Sequence, residues 1–198
     1  MIAEYDNEPV PGLPGFLPKG EEILWQGSPE WKRLAISALH VRKIAGYFGL
    51  LAGFGAIQGS WTGVVTTIVV GIVCIAILAL IAWGTARTTM YTLTNRRIVM
   101  RIGIALPKCI NLPLSVISSA DLALHGDGTG DIPLLLNAPQ RLGYIQLWPS
   151  ARAWELAVPQ PMLRAVPDAQ AVAAMLARAC GARLQAAPAS EFQQAIAA

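Results

Sequence analysis

The sequence is short of charge. Only 14% of its 198 residues are Asp, Glu, Lys or Arg, against about a quarter in an average soluble domain. It has three cysteines, too few to staple a chain of this length, so a secreted disulfide scaffold is excluded. Cys74, Cys109 and Cys180 are far apart and form no CxxC pair, so neither zinc binding nor redox chemistry is supported. There are two histidines, His40 and His125. Neither has a Cys, Ser or carboxylate at a spacing that suggests catalysis, so the chain is not expected to be an enzyme or to carry a cofactor. The one glycine-rich loop is Gly126-Asp127-Gly128-Thr129-Gly130-Asp131. It lacks the Lys of a phosphate loop and the ligand spacing of an EF-hand, and reads as a strand connection. Apolar residues make up 54%, which excludes disorder for most of the chain.

The apolar excess is concentrated. Residues 44–86 contain no Asp, Glu, Lys or Arg. That run is too long for one spanning helix of about 20 residues. Its polar break is Gln58-Gly59-Ser60-Trp61-Thr62-Gly63, so two spans are expected, near residues 41–57 and 64–87. A helical hairpin buried in a soluble core is disfavoured, because such a run leaves neither helix a solvent face.

Charge is distributed unevenly around this hairpin. Residues 1–30 carry a net −5, residues 31–43 +4, residues 87–108 +5 and residues 109–198 −1. Lys32, Arg33, Arg42, Lys43, Arg87, Arg96, Arg97, Arg101 and Lys108 flank the spans, and the connecting loop has no charge. The positive-inside rule then puts both flanks and both termini in the cytoplasm. Lys32, Arg33, Arg42, Lys43, Arg87, Arg96 and Arg97, with Trp61 and Trp83 near the span ends, are the expected contacts with the interface and anionic lipid. No basic stretch interleaved with aromatics points to nucleic acid. The first apolar run starts near residue 34 behind an acidic stretch, so no cleaved signal peptide is expected and the first span would act as an anchor.

Within the first span, Gly49 and Gly53 form a GxxxG pair, and Gly46 lies on nearly the same face. Small residues let helix backbones approach closely in lipid. Two uses remain open. This face packs on the second span, or it packs on a partner's helix, including a second copy in a homodimer. His40, at the edge of the span, is a weak candidate for ligating the magnesium of a bacteriochlorophyll. An interfacial polar residue in a basic cluster is the preferred alternative.

From Met90 the pattern becomes β. Short runs at residues 91–93, 98–102, 108–112, 116–124, 131–136, 143–148, 154–158 and 162–166 are bounded by Gly, Pro, Asn or Asp, and suggest a small antiparallel sandwich or barrel. Residues 22–26 could add a further strand before the spans. Ala169, Val172, Ala173, Leu176 and Ala177 then make a helical stripe, with Asp168 as N-cap and Gly181 as its end. The expected divisions are residues 1–30, an extended N-terminal segment with Phe16 and Leu17 as anchors; 31–88, the transmembrane hairpin; 89–181, a cytoplasmic domain; and 182–198, an Ala/Gln-rich tail. The fold class is α+β.

Two stretches carry a resemblance. The first is Leu13-Pro14-Gly15-Phe16-Leu17-Pro18-Lys19-Gly20-Glu21-Glu22-Ile23-Leu24-Trp25-Gln26-Gly27-Ser28-Pro29. The second is Tyr91-Thr92-Leu93-Thr94-Asn95-Arg96-Arg97-Ile98-Val99-Met100-Arg101-Ile102-Gly103-Ile104, followed by Pro107-Lys108-Cys109-Ile110-Asn111-Leu112-Pro113. The second resembles the bacterial membrane-anchored PH-like domain, in which a Tyr-x-Leu-Thr-Asn-x-Arg strand and turn follows a membrane hairpin. Together they resemble the PuhB family of photosynthetic complex assembly proteins of purple bacteria, over about residues 11–181. The resemblance implies a PH-like antiparallel barrel capped by a C-terminal helix. It also implies a non-enzymatic factor that assembles the photosynthetic reaction centre and core light-harvesting antenna in the inner and intracytoplasmic membrane. It supplies no functional residues. A general membrane-surface scaffold binding lipid or unrelated proteins is the alternative.

Overall fold

Strand β1 (Ile23–Gly27) is followed by three helices before the next strand: α1 (Trp31–Ser37), α2 (Val41–Ile57) and α3 (Trp61–Thr88). The computed structural model describes residues 12–13, 15–104, 107–137, 143–152, 155 and 158–186. After α3 the chain returns as β2 (Met90–Thr94), antiparallel to β1, with Gly27 opposite Tyr91. The helices are therefore an insertion between two hydrogen-bonded strands. The β domain accordingly takes in residues on both sides of the helices. β3 (Arg97–Ile102) and β4 (Lys108–Pro113) complete a sheet in the order β1-β2-β3-β4.

A second antiparallel group is built on β7 (Gly130–Leu136). It pairs with β5 (Ile117–Ala120), β6 (Ala123–Leu124) and β8 (Met162–Val166). The strands follow their side-chain alternation. In β4, Ile110 and Leu112 are buried while Asn111 and Pro113 are exposed, the period of two that one solvated face requires. In β2 and β3 both faces are covered: Tyr91, Leu93, Ile98 and Met100 point into the core, and Thr92, Thr94 and Val99 are buried on the other side. Ile132 and Leu134 of β7 and Leu163 and Val166 of β8 meet them. Helix α5 (Ala169–Ala186) closes this core with Ala169, Val172, Leu176 and Ala179, and with Ala173 packed half-buried against it. This is the expected helical stripe, except that Ala177 is exposed and Ala179 takes its place.

Three expectations need correction. Residues 143–148 are not a strand; they contain the one-turn helix α4 (Tyr144–Leu147). Leu147 anchors it in the core with Tyr144 packed half-buried against that core, and the following Pro149 cannot continue a helix. Gly181 does not end α5, which runs to Ala186. Open space surrounds Gly181, so it costs only its helix propensity, about 1 kcal/mol. The N-terminal anchor is Leu13, 1% exposed, whereas Phe16 is 84% exposed. Residues 1–11 and 14 of the expected N-terminal segment, most of a strand at 154–158 and the tail beyond 186 lie outside the described residues.

Candidate functional site

The outstanding surface is the helical insertion. Helix α3 has a mean hydropathy of 3.1 over its best window, of which only 6% is buried. A core helix would be mostly covered. At 28 residues it is about 42 Å long, so it is long and apolar enough to cross a membrane. Trp61 and Trp83 stand near its ends, 75% and 47% exposed. Their separation along the helix is about 33 Å, close to the hydrocarbon thickness of about 30 Å. Helix α2 alone, with 17 residues, spans about 26 Å. It meets α1 at a 58° bend.

Helix α2 packs on α3 through Phe48, whose ring lies so close to Gly71 that a Cβ there would come within 2.9 Å of it. Gly55 meets Val64 one turn from the connection. Gly46, Gly49 and Gly53 lie on a different face, where a Cβ at any of them would meet no other part of the fold within 4 Å. The helical period explains this: positions 48 and 55 share one side, and 46, 49 and 53 project well away from it. The small-residue face is thus not the face that packs on α3. Around it Tyr47, Leu50 and Phe54 are exposed.

His40 sits in the bend between α1 and α2, exposed, with φ 55° and ψ 33°. It belongs to a break in the backbone, and its carbonyl accepts the amides of Lys43 and Ile44. Arg42 and Lys43 are exposed in the first turn of α2, where the helix dipole disfavours cations. The Arg87 guanidinium lies 5.0 Å from the Trp83 ring, and the Lys32 amine 5.9 Å from that of Trp31. These four bases lie at the end of the helices nearest the sheets. Arg33 instead faces Asp127, Nε to Oδ2 3.6 Å. That contact ties α1 to the glycine-rich loop, which joins β6 to β7 as expected. Hydrogen bonds from Thr129, to which the Arg33 charge adds, hold the Asp127 carboxyl below its ordinary pKa.

Arg96 and Arg97 are placed differently from the other flanking bases. They follow β2, at its end remote from α3, about 15 Å along the strand. Arg97 is committed to Glu21, with Nε–Oε1 2.8 Å and Nη2–Oε2 3.1 Å. Thr94 donates to the same carboxylate at 2.8 Å. Burial pushes the Glu21 pKa up, but the bonds from Arg97 and Thr94 and the Arg97 charge outweigh it, so the carboxyl sits below its ordinary value. Asn95 donates to the Gly20 carbonyl and accepts the Glu22 amide. Arg96 donates to the Lys19 carbonyl at 3.3 Å. The two stretches quoted above therefore grip each other. Sequence reasoning did not single out Glu21, because its partner is 76 positions away. Only the co-occurrence of the two stretches hinted at the contact.

Deeper in, the Tyr91 hydroxyl bonds Ser150 Oγ at 3.0 Å and accepts the Arg164 amide at 3.3 Å. Full burial raises the Tyr91 pKa. Arg164 donates to the Ala151 carbonyl, and desolvation lowers its pKa. Asp131 accepts the Ala165 amide at 2.8 Å and lies 3.4 Å from His125 Nε2. The amide it holds belongs to a residue with φ 49°, so this carboxylate supports an irregular turn of β8.

Comparison with known proteins places this architecture. The bacterial PH domain family matches residues 45–179, a span that includes α3 and most of α2. A protein of Rhodobacter capsulatus, described as an uncharacterized 23.7 kDa protein in the puhA 5′ region, is 38% identical over 191 residues. The match covers 91% of this chain and 89% of that protein. No solved structure matches the chain. With two thirds of its length matched, including strands β2 to β8 and most of the closing helix, the chain belongs to the bacterial PH domain family.

Proposed function

We propose that this protein is a membrane-bound, non-enzymatic assembly factor for the photosynthetic reaction centre and core light-harvesting antenna. The observation that carries the proposal is the open Gly46–Gly49–Gly53 face beside an almost uncovered α3. Such a face is suited to close packing on a helix of another membrane protein. The relative from the puhA 5′ region supports the photosynthetic context, since puhA, the gene it lies beside, shares a stem with the PuhB family that the sequence resembles. In this proposal α3 crosses the inner or intracytoplasmic membrane and α2, with α1, forms the second crossing. Both termini face the cytoplasm. Arg42, Lys43, Lys32 and Arg87 contact anionic headgroups, each worth about 1 kcal/mol near the surface. The protein holds unfinished reaction-centre helices until later subunits cover them. His40 is left without a pigment role, because a residue in a backbone bend is poorly held as an axial ligand.

A mild-detergent pull-down from phototrophic membranes tests this. Reaction-centre subunits should co-purify with the wild type and be lost with Gly49→Leu. Deleting the gene should lower reaction-centre accumulation while pigment synthesis continues. Normal reaction-centre levels in the deletion strain would overturn the proposal. They would favour a general membrane-surface scaffold, a role that the Trp83–Arg87 and Trp31–Lys32 pairs would also serve.

A further inference from the structure

A groove of about 560 Å³ runs between α5 and the β2–β3 turn, within the size range of ligand-binding clefts. One wall is Met175, Arg178, Ala179 and Ala182, the i, i+3, i+4, i+7 face of one helix. The other is Gly20, Leu24, Asn95 and Arg96.

Two features define what the groove accepts. The first is charge. Arg97 and Arg33 have carboxylate partners in the fold, whereas among the described residues no carboxylate lies within ion-pair distance of Arg96 or Arg178, and Arg96 acts on Glu21 only at longer range. Both are exposed, and both are oriented by backbone. Arg96 Nη2 bonds the Lys19 carbonyl, and Arg178 Nε bonds the carbonyl of Ala174. Gly20 has φ +77° and leaves 3.3 Å between its would-be Cβ and Arg96 Nη2, so a side chain there would crowd the guanidinium. The groove thus presents two held cations above apolar Leu24 and Met175. The second feature is position. The groove opens at the end of β2 remote from α3, about 15 Å along the strand from the helix junction. Headgroups at that junction meet Arg87 and Lys32 first.

We infer that this groove is a docking site for an acidic polypeptide segment bearing an apolar anchor side chain. Carboxylates of the segment pair with Arg96 and Arg178 while its apolar residue covers Leu24 and Met175. Arginine suits this role because its planar fork matches a carboxylate. The inference is independent of any photosynthetic role, since it names the chemistry of the partner and not its identity.

The test uses the full-length protein in an uncharged detergent and a fluorescein-labelled nine-residue peptide of Glu and Phe. Fluorescence anisotropy should show saturable binding that weakens as salt rises. The double variant Arg96→Ala/Arg178→Ala should bind at least about tenfold more weakly. Lys108→Glu, exposed at the start of β4 and opposite Ile102 at the far end of β3, should bind as the wild type does. Unchanged thermal unfolding of the double variant keeps the comparison clean, and Met175→Glu supplies an independent loss that leaves both arginines in place. Equal binding by the double variant, or equal binding of a Lys/Phe peptide, overturns the inference. So does capture of phosphatidylglycerol vesicles that only the double variant loses, which would assign the groove to lipid. Tighter peptide binding after deletion of residues 1–11, with its Glu4, Asp6 and Glu8, would assign it to the chain's own N-terminus and overturn the inference as well.

Discussion

Tyr91, Leu93, Thr94, Asn95 and Arg97 each have a separate physical task. Leu93 fills the core, Tyr91 bonds Ser150, and Thr94, Asn95 and Arg97 hold residues 20–22. The Glu21 pair is the most testable of these contacts. Its side chain is 2% exposed and that of Arg97 27%. Glu21→Gln should lower the unfolding free energy at pH 7 by about 2 kcal/mol, the usual loss for a hydrogen bond to a charged group. The folded carboxyl titrates below its ordinary 4.5. The unfolded chain therefore takes up that proton first as pH falls. The contribution of the pair is complete above about pH 4.5 and disappears as pH drops through the lower, folded value. Denaturant titrations of wild type and Glu21→Gln should differ most at pH 7, and the difference should shrink as pH falls below 4.5. A constant difference across that range would show that the charge is not responsible. Tyr91→Phe should cost about 1 kcal/mol by the same measurement, since it leaves the Ser150 hydroxyl and Arg164 amide short of a partner.

At the scale of elements, the two glycine sets of the helices separate folding from binding. A side chain at Gly71 meets the Phe48 ring, so Gly71→Leu should force α2 away from α3 and lower the thermal stability of the detergent-solubilised protein, at a cost of about 1–3 kcal/mol. Gly49→Leu meets open space and should leave stability within about 0.5 kcal/mol, while it abolishes co-purification of the partner. If Gly49→Leu proves as destabilising as Gly71→Leu, the open face is part of the fold. The sequence displays Gly46, Gly49 and Gly53 but cannot say which side they face. That depends on where Phe48 docks, a tertiary contact. Strand positions were legible where alternation is strong, as in β4 and β7, and α5 was legible from its stripe. Helix α4 was not, because a four-residue element has too few positions to display any period. Nor was the groove, since Leu24, Arg96 and Arg178 come from three elements whose approach no local pattern encodes.

For the whole molecule, the insertion of the helices between β1 and β2 carries a topological constraint. Gly27 and Tyr91 face each other across one ladder, about 5 Å apart. The chain therefore leaves the β domain and returns to it on the same side of any membrane. A single crossing is incompatible with that ladder. If α3 crosses, the segment between Gly27 and Trp61 must cross as well, and the bent α1–α2 pair is what lies there. The charge count points the same way, since the bases flank the helices and the 58–63 connection has none. Cysteine labelling resolves the matter in a background with Cys74, Cys109 and Cys180 replaced by Ser. Ser60→Cys, in the connection, should react with a membrane-impermeant maleimide added to spheroplasts. Ser119→Cys, exposed on β5, should react only in inside-out vesicles. If both react from the same side, α3 does not cross, and the helical pair would have to lie on the surface with its apolar face turned into the bilayer. If Ser60→Cys is protected in both preparations, the connection is covered by a partner. Stripping that partner with a stronger detergent should then restore labelling. Reaction of Ser60→Cys from outside and Ser119→Cys from inside would establish an even number of crossings, and would fix the groove beside Arg96 on the same side as the β domain.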